Sequence, residues 1–346
     1  MRSILNSRLY LEDLEKIAEK LDIDELKNKS LLITGGLGLI CSAVVDLLVS
    51  LNRSHNANVK IYVAARSYEQ FENRYGDCDE TVYVEYDAGK PIGFDVDVDY
   101  IIHGAGVSSP EMYVAKPVET MLSNIDGVHR LLKYAEMHKA KRLLYISSSE
   151  VYGKKEKTAA FAEGDFGIIN IDGMRASYPV AKKASEMLCK AYTEEYGIDT
   201  VVVRPGHIYG PGASSKDRRI SSEFAYLAAR GQALEMKSSG LQKRSYCYSI
   251  DCASAILTAL LNGKGGESYN IGHTEVTSIR RMAEILAEVG GVELRMNEPT
   301  EAELNSFNPM NNSSLEDIKI KSLGYSDTFS VKEGLEHTVL ILKELI

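Results

Sequence analysis

Between Lys29 and Pro205 the chain alternates short apolar runs with helix-patterned segments, and that alternation leaves few folds open. The runs Ser30–Thr34, Val59–Ala64, Thr81–Glu85, Tyr100–His103, Arg142–Ser147 and Thr200–Arg204 are rich in Val, Ile, Leu and Tyr. Strands of that kind have both faces covered, as in a parallel sheet. The segments Val118–His138 and Val180–Tyr196 instead repeat apolar residues at helical spacing. Parallel neighbours need crossover connections, so the pattern predicts an α/β fold: a doubly wound parallel sheet with helices on both faces.

The flanking segments differ from this middle part. Residues 1–28 read as an appended amphipathic helix, with Leu11, Leu14, Ile17, Ala18 and Leu21 at helical spacing, and a docked structural role is expected of it. Beyond Pro205 the pattern becomes mixed. Helices are expected near Ser221–Arg230, Cys252–Leu261, Ser278–Val289 and Val331–Leu345, with short strands near Leu234–Met236 and Ser245–Ser249. The expected organisation is therefore 1–28, 29–205 and 206–346, the last a smaller mixed α/β unit interleaved with the second across a cleft.

Composition narrows the function classes. Net charge is −9, from 40 basic and 49 acidic side chains, which disfavours a dedicated nucleic-acid binder. No basic tract interleaves with aromatic residues as an RNA surface would require. No apolar run approaches the roughly 20 residues of a membrane span, and the N-terminus soon becomes charged. A cytoplasmic protein without membrane attachment is expected. The five cysteines, Cys41, Cys78, Cys189, Cys247 and Cys252, are scattered without a C-x-x-C pair. They read as reduced packing residues, and no metal site is expected.

Two local patterns carry chemistry. The first is Thr34-Gly35-Gly36-Leu37-Gly38-Leu39-Ile40-Cys41, between a strand and the helical run Ala43–Leu51. Glycines at a strand's carboxyl end let a pyrophosphate approach the backbone, and the following helix adds unpaired N–H groups. Gly35 and Gly38 fit these roles; Cys41 stands where a third glycine is usual. A tight structural turn is the competing reading. After the second strand Arg66 occupies the place where a carboxylate would bind an NAD ribose. Arginine suits a 2′-phosphate, which tilts the reading to NADP, against a solvated surface arginine. Asp87, after the third strand, can accept a hydrogen bond from adenine, or equally cap a turn.

The second pattern is Tyr178-Pro179-Val180-Ala181-Lys182, which puts a phenol and an ammonium on one helix face. An ammonium nearby stabilises phenolate, so Lys182 is expected to lower the Tyr178 pKa from its ordinary value of about 10. The phenolate then takes a sugar hydroxyl proton while a nicotinamide takes hydride. Upstream, Ser148 in Tyr145–Gly153 can hydrogen-bond the same substrate oxygen, and Asn124 can hold backbone or a water.

Taken together, T-G-G-x-G-x-x, His103-Gly104-Ala105-Gly106, Asn124, S-S-S-E-V-Y-G, Y-x-x-x-K, R-P-G-H-I-Y-G-P-G from Arg204, R-S-Y-x-Y-x-x-D from Arg244 and Y-N-I-G from Tyr269 resemble the extended short-chain dehydrogenase/reductase family, the NAD-dependent epimerases and dehydratases. The resemblance implies a Rossmann-type domain over 29–205 and a nucleotide-sugar-binding domain over 206–346. It also implies a tightly held NAD(P), NAD being usual in the family, and a homodimer formed through helices. It implies Ser148, Tyr178 and Lys182 as the catalytic set, with Leu39, Ile40 and Ala105 beside the cofactor.

Within the family, Ser109-Pro110-x-x-Tyr113, its spacing to Asn124, Ser148-Ser149-Glu150 and Arg175 resemble the UDP-glucuronate decarboxylases. Glu150 and Tyr113 are then expected near C5 and C6 of the sugar, with turn capping as the alternative for Glu150. Arg244 and Arg219 are candidates for the substrate pyrophosphate, against surface ion pairing, the more so for Arg219. His207 stands where asparagine is usual. The expected function is oxidation of C4 of an NDP-hexose to a 4-keto intermediate, followed by decarboxylation or dehydration. A 4-epimerase or 4-reductase is the alternative enzyme, and a non-catalytic NADP-sensing regulator the alternative of another class. The base, the hexose and the fate of the ketone are not legible here.

Overall fold

The structure is a computed structural model that describes residues 3–155, 159–297 and 311–346. Seven strands form one parallel sheet: β1 (Ser30–Thr34), β2 (Lys60–Ala65), β3 (Thr81–Glu85), β4 (Tyr100–His103), β5 (Arg142–Ile146), β6 (Thr200–Pro205) and, far later in sequence, Ser268–Ile271. Their order is Ser268–Ile271, β6, β5, β4, β1, β2, β3. The predicted strands match these within a residue or two. Ser268–Ile271 lies in the Y-N-I-G motif and was not among them; it pairs in register with Val202–Pro205.

Helices cover both faces. Helix α2 (Leu39–His55) lies on one face, its Val44, Val45, Leu47 and Leu48 fully buried, each worth about 1.5–3 kcal/mol of burial. The helix ends where Asn56 takes a left-handed conformation, φ 52°. On the opposite face, α5 (Pro117–Met137) and α6 (Ser177–Tyr196) pack side by side. Each has proline in its first turn, where no intrahelical N–H is lost, and α6 stops at Gly197, φ 71°. All seven strands run the same way, so their carboxyl ends share one edge. The loops after β1, β4, β5 and β6 meet there.

The N-terminal helix α1 (Arg8–Ala18) is capped by Ser7 and fixed by buried polar groups as well as by Leu14 and Ile17. Tyr10 Oη donates to Asp46 Oδ2 of α2 at 2.7 Å, and Tyr75 and Arg74 bond the same carboxylate. Asp13 accepts from Tyr248 Oη at 2.9 Å and from His337 Nδ1 at 2.9 Å, on the C-terminal helix Val331–Leu345. Beyond β6 the expected helices and strands are present as Ile220–Ala229, Leu234–Met236, Tyr246–Tyr248, Ser249–Asn262 and Ile279–Gly290. Among the described residues no helix is long and apolar enough to cross a membrane. All five cysteines are free and buried.

Candidate active site

The turn after β1 has the shape a dinucleotide needs. Gly35 sits at φ 70°, and a Cβ there would lie 2.9 Å from the Ala105 nitrogen. At Gly36 a Cβ would meet Val63 Cγ1 at 2.7 Å. Gly38 begins α2 without a capping side chain, so Leu39 and Ile40 present the helix's first turn at the sheet edge. Cys41 stands where a third glycine is usual, and its sulfur takes the space beside Gly104: any Cβ on Gly104 would collide with it. The cradle thus fits a bound NAD(P). Arg66 is exposed just past β2. Asp87 Oδ1 accepts from the Gly89 N–H at 2.9 Å, the turn-capping alternative. Asn124 Nδ2 donates to the Thr120 carbonyl at 2.8 Å, while its Oδ1 is buried without a protein partner.

Ser148, Tyr178 and Lys182 converge at the carboxyl end of β5. Lys182 Nζ donates to the Ile146 carbonyl at 2.8 Å. It lies 4.7 Å from the Tyr145 ring centre and 5.9 Å from that of Tyr178. The expected lowering of the Tyr178 pKa is corrected here: it is pushed up to about 12. Burial is the main cause, and the negative Glu150 adds to it. The Ser148 and Tyr113 hydroxyls and the Arg219 charge pull back only in part. Burial also brings Lys182 down to about 8. Tyr113 is buried against the catalytic candidates. Its ring stacks on Tyr178, centres 4.3 Å apart and planes 6° apart, and Ser177 Oγ bonds its carbonyl at 3.2 Å.

At the mouth the candidate residues pair with one another. Arg175 grips Glu150 through two bonds of 3.0 and 3.1 Å, so Glu150 neither caps a turn through its side chain nor stands free for C5. Arg219 is ion-paired with Asp217 at 2.6 Å, the surface pairing weighed against a phosphate role. Ser109 is exposed at the start of the short helix Pro110–Ala115. Deeper, His207 Nε2 is hydrogen-bonded with Ser313 Oγ at 2.9 Å. Burial, then the charges of Arg244 and Arg219, bring its pKa down to about 3, so the ring is neutral. Arg244 is buried and donates from Nη1 to the Lys243 carbonyl at 2.8 Å. Arg219 and Arg244, whose charges both reach the neutral His207, make one basic corner with it, and the Arg219 charge also reaches Tyr178. Among the described residues no His, Cys, Asp and Glu side chains cluster as metal ligands.

One functional neighbour escaped the sequence reading. Glu186, a turn beyond Lys182, accepts from Ser147 Oγ at 2.5 Å and from Arg204 Nε and Nη2 at 3.0 and 2.7 Å. Arg204 continues to Tyr152 Oη, which donates to Asn270 Oδ1 at 2.6 Å. Three of the quoted motifs, S-S-S-E-V-Y-G, R-P-G-H-I-Y-G-P-G and Y-N-I-G, are joined by this chain of bonds. The only sequence signal for Glu186 was its i+4 spacing from Lys182.

Residues 31–272 match the model of the NAD dependent epimerase/dehydratase family. UDP-glucuronic acid decarboxylase 6 of Arabidopsis thaliana is 31% identical over 312 residues, covering 89% of this chain and 87% of the plant protein. UDP-glucuronic acid decarboxylase 1 of Xenopus tropicalis is 30% identical over 279 residues, covering 78% of this chain but only 62% of the frog protein. Among solved structures, the UDP-N-acetylglucosamine 4-epimerase of Methanobrevibacter ruminantium, in complex with UDP-N-acetylmuramic acid, superposes with a TM-score of 0.79. It is 21% identical and covers 92% of this chain and 100% of that one. At that identity the likeness speaks for the fold.

Proposed function

The chain belongs to the NAD dependent epimerase/dehydratase family and is an NAD(P)-dependent enzyme, and from that premise we propose that it oxidises C4 of an NDP-hexose, with UDP-glucuronate decarboxylation as the leading reaction. The observation that carries this reading is the convergence of Ser148, Tyr178 and Lys182 beside the glycine cradle, together with the basic corner of His207, Arg219 and Arg244.

Gly35, Gly38, Leu39, Ile40 and Ala105 would hold the dinucleotide, with Arg66 and Asp87 at its adenosine end and Asn124 nearer the reacting end. When bound, the dinucleotide supplies the hydride acceptor and the positive charge of its oxidised ring. Tyr178 Oη receives the proton of the C4 hydroxyl, and Ser148 Oγ orients that oxygen. Lys182, held by the Ile146 carbonyl, supports the phenolate. In the free protein the phenol is protonated, so it gives up its own proton to solvent as the site is loaded, and only the resulting phenolate oxygen takes the C4 hydroxyl proton. A ketone at C4 turns a C6 carboxylate into a β-keto acid, which loses CO2.

The substrate's diphosphate is assigned to 206–346, where Arg244 and His207 lie, and the cofactor to 29–205. We also propose a cytoplasmic homodimer. The outward faces of α5 and α6 expose Val118, Leu122 and Met187, which a second copy would cover.

One observation favours a second reading, 4-epimerisation or 4-reduction. Glu150 is engaged by Arg175, and those reactions need no group at C5 or C6. Incubating the purified protein with NAD+, NADP+ and UDP-, dTDP-, GDP- and CDP-sugars, read by mass spectrometry, tests both. Loss of CO2 from UDP-glucuronate is expected. An unchanged mass with a new isomer would move the assignment to an epimerase, and no turnover across the panel would favour a cofactor-sensing regulator.

A further inference from the structure

The mechanism leaves unused the carboxylate that lies one helical turn from its lysine. Glu186 is 11% exposed and its partner Arg204 14%. Burying an ion pair is expensive in itself, so its worth lies in what it connects. It joins three elements: Ser147 at the end of β5, α6, on which it lies one turn beyond Lys182, and Arg204 of β6. Ser147 directly precedes Ser148, and its N–H bonds the Val203 carbonyl of β6 at 2.8 Å. The Ser148 backbone is thus set by the same clamp that sits under the lysine.

We propose that Glu186 is a positioning residue: one carboxylate ties the strand end bearing Ser148 to the helix bearing Tyr178 and Lys182, and it balances the Lys182 ammonium. This rests on the role given to Lys182 in the reading above. Other groups around that ammonium cannot take the same part. They are Cys41 at the start of α2, His103 of β4, Tyr145 of β5, and Tyr178 and Cys189 of α6. Burial pushes the Cys41 thiol to about 12 and raises that of Cys189, so both are uncharged at neutral pH. Burial brings His103 down to about 3, which leaves it neutral. The two phenols are protonated. Glu186 is the one anion among these neighbours.

The test is an NMR titration of Lys182 in protein labelled at the lysine ε-carbon, its signal assigned by Lys182→Arg. Glu186→Gln alone leaves Arg204 buried and uncompensated, so the Glu186→Gln/Arg204→Gln double variant is titrated beside it. In a folded variant without the carboxylate, the Lys182 midpoint should fall by about one pH unit. Glu186→Asp and Ser147→Ala, which keep the charge, should hold the wild-type midpoint while lowering kcat more than they change KM. A midpoint unmoved in the folded double variant would overturn the proposal, as would Glu186→Asp and Ser147→Ala with wild-type kcat. The titration needs no turnover, so failure to find a substrate would count against the functional reading alone.

Discussion

The buried end of the cleft and its mouth hold their charges in opposite ways. At the buried end the proposed reacting and positioning groups are held by backbone or by another element: Lys182 by the Ile146 carbonyl, Glu186 by Ser147 and Arg204, Tyr178 beneath Tyr113. At the mouth, Glu150 with Arg175 and Arg219 with Asp217 form pairs that solvent reaches, Arg175 being 48% and Arg219 47% exposed. Such pairs contribute little stability and can exchange partners at small cost. The difference teaches where reaction and outcome are decided. Under the proposed function, proton transfer at C4 would use fixed groups. The groups that would choose among decarboxylation, dehydration and epimerisation sit in pairs a substrate can open.

The sharpest way to break this contrast is Tyr178→Phe. It should lower kcat by about 10³-fold while leaving cofactor binding intact, measured by turnover and by retained nicotinamide absorbance. Residual activity near wild type would mean the buried end is not the catalytic one. Next comes the basic corner. Arg244→Ala should raise KM by about 10–100-fold, the value of a buried charge-assisted contact. Arg219→Ala, which removes a guanidinium already satisfied by Asp217, should change it by less than about tenfold, and equal effects would erase the distinction between the buried and the exposed arginine. Arg66→Ala should weaken NADP selectively, by a few-fold in the NADP/NAD ratio of kcat/KM. An unchanged ratio returns Arg66 to the solvated surface.

The smallest effect tests whether buried ion pairs matter away from the cleft. Asp13, through its hydrogen bond and charge, raises the His337 pKa above its ordinary value, although partial burial opposes this. Stability from that pair is complete below the unfolded histidine's pKa and is lost as pH rises through the folded value. Tm should therefore fall by about 2 °C between pH 6 and pH 9 relative to Asp13→Asn, whose scan lacks this component. Parallel pH slopes in the two proteins would show that the pair carries no net stability.

Much of the fold was legible because parallel strands buried on both faces read as continuous apolar runs, and α5 and α6 repeat at helical spacing. Ser268–Ile271 was missed for physical reasons. It is short and holds a buried asparagine whose amide donates to the Phe161 and Glu316 carbonyls and accepts from Tyr152 Oη, all far away in sequence. In the candidate site, Ser148, Tyr178 and Lys182 could be read because their spacing is local to one helix and one strand end. The Glu150–Arg175 pair, the Tyr113 stack and Glu186 could not. Each depends on how a loop or helix seats against another element. The Tyr178 pKa was misjudged because spacing reveals a neighbouring charge but not the depth of burial that outweighs it.

The bonds of Asp13 reach a partner 324 positions later in the chain. During synthesis at about 5–20 residues per second, Asp13 is made roughly fifteen seconds to a minute before His337 exists. For that interval the aspartate has no histidine to meet, and Tyr248 arrives only part of the way through. The Asp13–His337 bond is thus a late one, and a nascent chain halted before Val331–Leu345 should leave α1 without its bond to that helix and more open to protease.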